Sequence, residues 1–350
     1  MKFELSEDQA LLRQSTRDFL GSEWPIEKAR KVLEHDARGY ELTEWARLAE
    51  MGYLGLTLPP DAGGQGLGAI ELAIVLEEVG RACMPGPYLD AILAASLLAA
   101  AGGHDEWLKD ISEGRKLVTI ARFDTPYSGS NGTATRFEGG RIRGTKYFVP
   151  FAAQADALLV ITPEGIGLVA GPFNAMPLPT FDLAQRFGQV SLDHPATAIG
   201  PLSLLERVDR LAAVGAGAML LGIMGRCLEM TLAYVQTRQT FNRPIGSFQA
   251  LQHRLADMLL KTESTRSAVY RAAWCFDTND ADTALACAAA KAYAGDASRL
   301  VCGEAIQMHG GIGFTWELDL HFYFKRAKTL EEHYGSTEVQ LEHALQAAGF

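Results

Sequence analysis

The chain has 350 residues, 48% hydrophobic and 21% charged, with a formal net charge of −10 at pH 7. That length supports two or three domains with a large buried core, and the composition is that of an ordinary globular protein. No run of lysine or arginine supplies the basic footprint that nucleic-acid phosphates need, so nucleic acid is excluded as a partner.

The opening MKFELSEDQALLRQ has neither the basic nor the apolar region of a secretory leader, which predicts a cytoplasmic protein. Ser6 and Gln9 form a capping-box pattern ahead of an amphipathic run through Leu11, Leu12 and Phe19, so a helix begins there. A second helix follows Thr43 through Trp45, Leu48 and Met51. The stretch Leu56–Gly68, LTLPPDAGGQGLG, is too rich in proline and glycine for a helix interior and reads as a loop. Helices resume over Ala69–Ala82 and Asp90–Ala101.

Near Lys116 the pattern changes. Leu117–Phe123 and Asp156–Thr162 read as buried strands, and TRFEGGRIRGTKYFV reads as a hairpin turning at Gly139-Gly140. GIGLVAG and RFGQVSLD add two more strands. From Leu204 the apolar spacing is helical again, over Leu204–Thr237, Gln249–Asp277, Asp282–Met308 and Asp319–His333. These lengths suit an up-down four-helix bundle. The expected fold is α+β and mostly α, with a helical domain over residues 1–115, a β domain over 116–201 and a four-helix bundle over 202–350. The apolar stretches Ala91–Ala101 and Leu211–Met224 are shorter than a bilayer span of about 20 residues, so they read as buried helices and no membrane partner is expected.

Cys83, Cys227, Cys275, Cys287 and Cys302 are scattered and odd in number, which fits reduced core thiols rather than a disulfide framework. No cysteine or histidine group has zinc-ligand spacing, so no metal is expected.

Two segments carry chemistry. RQTFNRPIGSFQ (Arg238–Gln249) ends one helix, crosses a turn and enters the next, so an arginine beside a helix break can offer its guanidinium fork to a phosphate. AIQMHGGIGFT (Ala305–Thr315) ends a helix in a glycine turn that permits close backbone approach by a nucleotide, or serves only as a helix cap.

Together, Arg-x-x-Phe-x-x-Pro-Ile-x-x-Phe-Gln and the later Gln-x-x-Gly-Gly-x-Gly-Phe resemble the C-terminal domain of acyl-CoA dehydrogenases. LPPDAGGQGLG, LEEVGRACMPGPY and GTKYFV resemble further parts of the family, from about Phe3 to Leu341. The resemblance implies FAD bound at a dimer interface and α,β-dehydrogenation of an acyl-CoA thioester, with electron-transfer flavoprotein as acceptor. It also implies cofactor contacts from Arg238, Thr240, Phe241 and Gln249 on one motif. Gln307, His309, Gly310 and Gly311 would contribute from the other, and Thr337 from the segment Ser336–Glu338.

The same alignment exposes departures. The family's usual glutamate position holds Tyr334, a poor base at neutral pH. The alternative glutamate position, on the first long C-terminal helix, holds Ala212. Asp209 and Glu206 lie nearer the helix start, where acids suit the dipole. Asp124–Gly132 replaces the family's flavin and substrate loop. Phe148-Val149-Pro150 replaces Trp-Ile-Thr/Ser, and Asn242 replaces a glycine. The resemblance is therefore to the subunit without its own base in heteromeric, actinobacterial-type steroid-CoA dehydrogenases, beside a second family subunit that carries the catalytic glutamate. A self-sufficient homo-oligomer with a relocated base and a non-enzymatic scaffold subunit are the alternatives.

Overall fold

The computed structural model describes residues 4–126 and 134–350. The helices in chain order are α1 (Glu7–Glu23), α2 (Ile26–His35), α3 (Leu42–Glu50), α4 (Ala69–Arg81), α5 (Tyr88–Ala101), α6 (Asp105–Ser112), α7 (Leu205–Thr237), α8 (Gln249–Thr278), α9 (Thr283–His309), α10 (Leu320–His333) and α11 (Thr337–Ala347). Strands β1 (Val118–Ala121), β2 (Arg136–Glu138), β3 (Arg141–Pro150), β4 (Ala157–Thr162), β5 (Gly165–Ala170), β6 (Ala175–Leu178), β7 (Phe187–Pro195) and β8 (Thr197–Gly200) lie between α6 and α7. The short β9 (Gln239–Thr240) and β10 (Arg243–Pro244) join α7 to α8. This is the expected mostly helical α+β fold, with its sheets in the middle of the chain. The chain packs as two compact units. One comprises the residues up to Arg30, Ala69–Met84 and Arg210–Phe350, and the other Lys31–Gly68 and Pro85–Asp209.

The first unit is helical. The Ser6 hydroxyl accepts from the Gln9 amide at 3.2 Å and the Gln9 side chain accepts from the Ser6 amide at 3.0 Å, so the capping box forms and starts α1. The Asp277 carboxylate, at the far end of α8, accepts from the first amides of α4, Ala69 at 2.6 Å and Ile70 at 3.0 Å. A carboxylate there satisfies orphan donors and suits the helix dipole. Helices α4 and α7 meet at glycines. A Cβ on Gly222 would lie 1.8 Å from the Glu77 carbonyl, and one on Gly80 would lie 2.1 Å from that of Met219, so neither position admits a side chain. Around this crossing the buried acids of α4 are paired. Glu78 receives both Arg17 nitrogens at 2.7 and 2.9 Å, and Glu77 receives Arg266 at 2.5 Å and the Tyr270 hydroxyl at 2.8 Å. Buried acids left unpaired would be strongly destabilising. The apolar stretch Leu211–Met224 lies inside α7, as the helical spacing over Leu204–Thr237 predicts. α7 is long and apolar enough to cross a bilayer, and 83% of its most apolar window is buried inside the protein.

In the second unit the strands form two four-stranded sheets, ordered β1-β4-β5-β8 and β2-β3-β7-β6. β1 pairs with β4 in parallel, and the other ladders are antiparallel. Ile142, Val149, Leu158, Val160, Val169, Val190 and Leu192 supply their shared apolar core. The hairpin of β2 and β3 turns at Gly139 and Gly140 with φ of +57° and +72°, the two positive values that a two-residue hairpin of this hand needs. Within the same unit Lys146 and Asp124 form a buried pair at 2.6 Å, both side chains 1% exposed. The Thr135 hydroxyl donates to Asp124, and the Lys146 amine also reaches the Arg122 carbonyl. Burial pulls the Lys146 pKa down although Asp124 opposes it.

Candidate functional site

The arginine motif folds as a tight hairpin, β9 against β10, with Arg243 opposite Thr240 and Pro244 opposite Gln239. Its two turn residues, Phe241 and Asn242, have φ of +53° and +59°. Asparagine is among the few non-glycine residues that tolerate this region, so Asn242 can do the backbone work of the family's glycine. Phe241 is strained by comparison and is 85% exposed, its ring edge-on to Phe248 at 6.4 Å. The Arg243 guanidinium lies 4.1 Å above the Phe248 ring. Arg238 and Thr240 are exposed, and so is Gln249, the first residue of α8. Among the described residues the Arg238 side chain has no hydrogen-bond or ion-pair partner. Its backbone is fixed, the amide donating to Tyr234 and the carbonyl accepting from Ile245, both at 2.8 Å.

The glycine turn lies beside this hairpin. The Tyr234 ring, on the last turn of α7, stacks on His309 at 4.3 Å, and its hydroxyl reaches the His309 carbonyl at 3.4 Å. His309 is buried, and its Nδ1 is 2.7 Å from the Ala305 carbonyl. That contact makes Nδ1 the protonated nitrogen. Burial lowers the His309 pKa, with the Ala305 contact opposing. Gly310, at φ +63°, and Gly311 face open space where a Cβ would meet nothing within 4 Å, and Gln307 is exposed. One end of the helical unit therefore presents an uncommitted guanidinium, exposed amide and hydroxyl groups, and an open glycine turn. This set fits a diphosphate carrying a planar base.

The third segment singled out in the sequence, Ser336–Glu338, sits elsewhere. Tyr334 is the C-cap of α10, half-buried, with its ring 4.5 Å from His333. Ser336 caps α11, its hydroxyl accepting from Val339. Thr337 is buried and turns inward, its hydroxyl 3.4 Å from the buried Glu331, which also pairs with Lys328 at 2.6 Å. This turn packs against Lys291 and Gly295 of α9. His309 lies about five turns further along the same helix, ~27 Å from Lys291 at about 1.5 Å per residue. The glycine turn and the Ser336 turn thus lie at different levels of one helix.

Neither expected base position offers a carboxylate. Ala212 is buried in α7. Asp209 is ion-paired with Arg122, and Glu206 is exposed. Phe148, at φ +50°, sits on an irregularity of β3 between Lys146 and Val149, and Val149 and Pro150 are buried, with no hydroxyl among the three. Of Asp124–Gly132, the residues from 127 onward lie outside the described ones, while Asp124 is committed to Lys146. Among the described residues no cluster of three or more histidine, cysteine or acidic groups is placed to hold a metal. Tyr234 and Lys291 escape a motif reading. The usable signal for Lys291 was a single lysine among alanines on the stripe Cys287, Lys291, Gly295.

Residues 6–114 match the acyl-CoA dehydrogenase N-terminal domain and residues 210–349 the acyl-CoA dehydrogenase C-terminal domain. The chain is 33% identical over 341 residues to acyl-CoA dehydrogenase IpdE2 of Mycolicibacterium smegmatis, covering 96% of this chain and 97% of that one. It is 31% identical to acyl-CoA dehydrogenase FadE27 of Mycobacterium tuberculosis, covering 89% of each. Among solved structures it is similar to a chain of the ChsE4–ChsE5 complex from Mycobacterium tuberculosis, with TM-score 0.89 and 26% identity over 100% of this chain and 99% of that one. It is also similar to the Tcur3481–Tcur3483 steroid ACAD, with TM-score 0.89 and 29% identity over 98% of both. With both terminal domains matched and relatives above 30% identity along nearly its whole length, the chain belongs to the acyl-CoA dehydrogenase family.

Proposed function

We propose that this chain is the FAD-clasping subunit of a heteromeric acyl-CoA dehydrogenase whose partner supplies the catalytic carboxylate. The cofactor is FAD, which when bound accepts the β-hydrogen of the thioester as hydride. The observation that carries the reading is an asymmetry. The arginine hairpin and glycine turn are open and uncommitted, while Tyr334 and Ala212 stand where a base is needed. Arg238 pairs with the diphosphate, and Thr240 and Gln249 add neutral donors. Gln307, His309, Gly310 and Gly311 would hold the adenosine side, with Tyr234 stacked on His309. Phe241, exposed at the tip of the hairpin, would add an apolar contact. Ser336–Glu338 would also approach the flavin nucleotide, and the inward Thr337 holds the start of α11 in place. Proton abstraction α to the carbonyl falls to the partner's carboxylate, because a neutral phenol at Tyr334 is a weak base.

The domain limits in this reading are 1–115, 116–201 and 202–350, the protein is cytoplasmic, and electron-transfer flavoprotein is the acceptor. The similarity to a chain of the ChsE4–ChsE5 complex and to the Tcur3481–Tcur3483 steroid ACAD supports a second subunit and a steroid-derived acyl group. The test is co-expression with a family member that carries the glutamate, followed by a flavin count. Fewer flavins than chains, with turnover lost when the partner's glutamate is changed, is the expected result. A homo-oligomer of this chain alone, with one flavin per chain and brisk turnover, overturns it.

A further inference from the structure

Lys291 is fully buried a third of the way along α9, among the buried residues Ala288, Ala290, Ala292 and Ala294. Its amine donates to the Glu331 carbonyl at 2.9 Å and to the Gly335 carbonyl at 3.0 Å. These two carbonyls bracket Tyr334, one in the last turn of α10 and the other just before the Ser336 cap of α11. Of the carbonyls between them, that of Tyr334 itself accepts from the Gln340 side chain at 3.0 Å. Gly335 turns the chain at φ +92°. Three anchors, at Glu331, Tyr334 and Gly335, therefore hold the backbone of a turn whose own side chain, Tyr334, carries no carboxylate.

An apolar residue would fill this space without the cost of desolvating an ammonium. Burial does act on the charge, lowering the Lys291 pKa to about 8 although Glu331 and Glu332 oppose the shift. What a cation offers here, and methionine does not, is donation to carbonyls at a helix C-terminus that lack helical partners, in the field of that terminus.

We propose that Lys291 is a positioning residue for the cofactor. Its amine pins the Glu331–Gly335 turn, so that Ser336–Glu338 at the start of α11 are held where they meet the flavin nucleotide. This rests on the reading above that Ser336–Glu338 approach FAD. The turn thus keeps a cofactor role that does not depend on a carboxylate at Tyr334.

The test compares the full-length wild type with K291M and K291R in the assembly with its partner subunit. Two readouts are used, amide hydrogen exchange across residues 331–340 and titration with FAD. K291M is expected to speed exchange in that segment by roughly tenfold or more while the rest of α9 stays protected. It is expected to weaken FAD binding by roughly tenfold and to alter the visible circular dichroism of the bound flavin. K291R is expected to restore part of each. If K291M does not accumulate folded, K291Q takes its place as the neutral variant. Unchanged exchange in the turn overturns the pin. Faster exchange with unchanged FAD binding and flavin spectrum overturns the positioning role. A wild type that takes no FAD in any assembly refutes the functional reading instead, while the exchange comparison still decides whether Lys291 holds the turn.

Discussion

Replacing Arg238 with alanine separates cofactor binding from folding. Among the described residues its guanidinium holds no internal partner, and its backbone hydrogen bonds to Tyr234 and Ile245 survive the change. An exposed side chain of this kind contributes little to stability, so unfolding should shift by no more than about 0.5 kcal/mol. Binding is different. A hydrogen bond to a charged group contributes about 1.5–3 kcal/mol, and each 1.4 kcal/mol is tenfold in affinity. Because the hairpin is open to solvent and salt, the lower half of that range applies, and FAD affinity should fall roughly tenfold, less at high ionic strength. The assay is fluorescence titration of the apo-assembly with FAD at two salt concentrations, alongside chemical unfolding of the same sample. Unchanged affinity in R238A would remove the diphosphate from this hairpin. An equal loss of stability and affinity would show that the arginine serves the fold instead.

Tyr334→Phe should leave turnover of the assembly within about twofold, whereas Glu→Gln at the partner's base should cost about a hundred- to ten-thousandfold; steady-state rates on an acyl-CoA thioester decide. Glu77→Ala strips a buried carboxylate from Arg266 and Tyr270. It should lower unfolding free energy by about 3 kcal/mol, the low end of the range for one partner of a buried pair, because Arg266 keeps Glu263. Denaturant titration measures it. His321 is buried among Trp316 and Phe322 with neither ring nitrogen hydrogen-bonded, and burial, helped by Lys325 and Arg30, holds its pKa down to about 4. Between about pH 4 and the unfolded value near 6.5 the unfolded chain binds the extra proton, so stability rises with pH across that window and is lost on acidification. His321→Phe should flatten that limb of the pH–stability curve; an unchanged limb refutes the assignment.

The long helices α7, α8 and α9 were legible because their apolar spacing runs over many turns, and their observed ends fall within a residue or two of the expected ones. The turn at Gly139-Gly140 was legible because two consecutive positive φ values need such residues. Helices α2, α6 and α11 were not read from the sequence. They are short, ten, eight and eleven residues, so each offers only two or three turns of apolar spacing. Strands β6 and β8 were also missed, being four residues each at sheet edges, with little buried surface to mark them. At the candidate site, the two cofactor motifs were recognisable as strings. Their meeting through the stacked Tyr234 and His309 was not, because it depends on where α7 and α9 end in space. The change from glycine to Asn242 counted in the sequence as a loss, yet the backbone there needs only a residue that accepts φ +59°.

The spacing along α9 also bears on how such a chain can change. On the proposed reading the clasp near His309 and the turn beside Lys291 lie about five helical turns apart, so a substitution at one need not reach the other. After gene duplication, one copy can lose acid–base chemistry at the turn and still grip a neighbour's nucleotide, while the other copy is free to lose its grip. Once each has shed a different half, neither works alone, and return needs two repairs at once. A long rigid rod that carries two tasks at separate heights turns an optional pairing of paralogues into a one-way commitment.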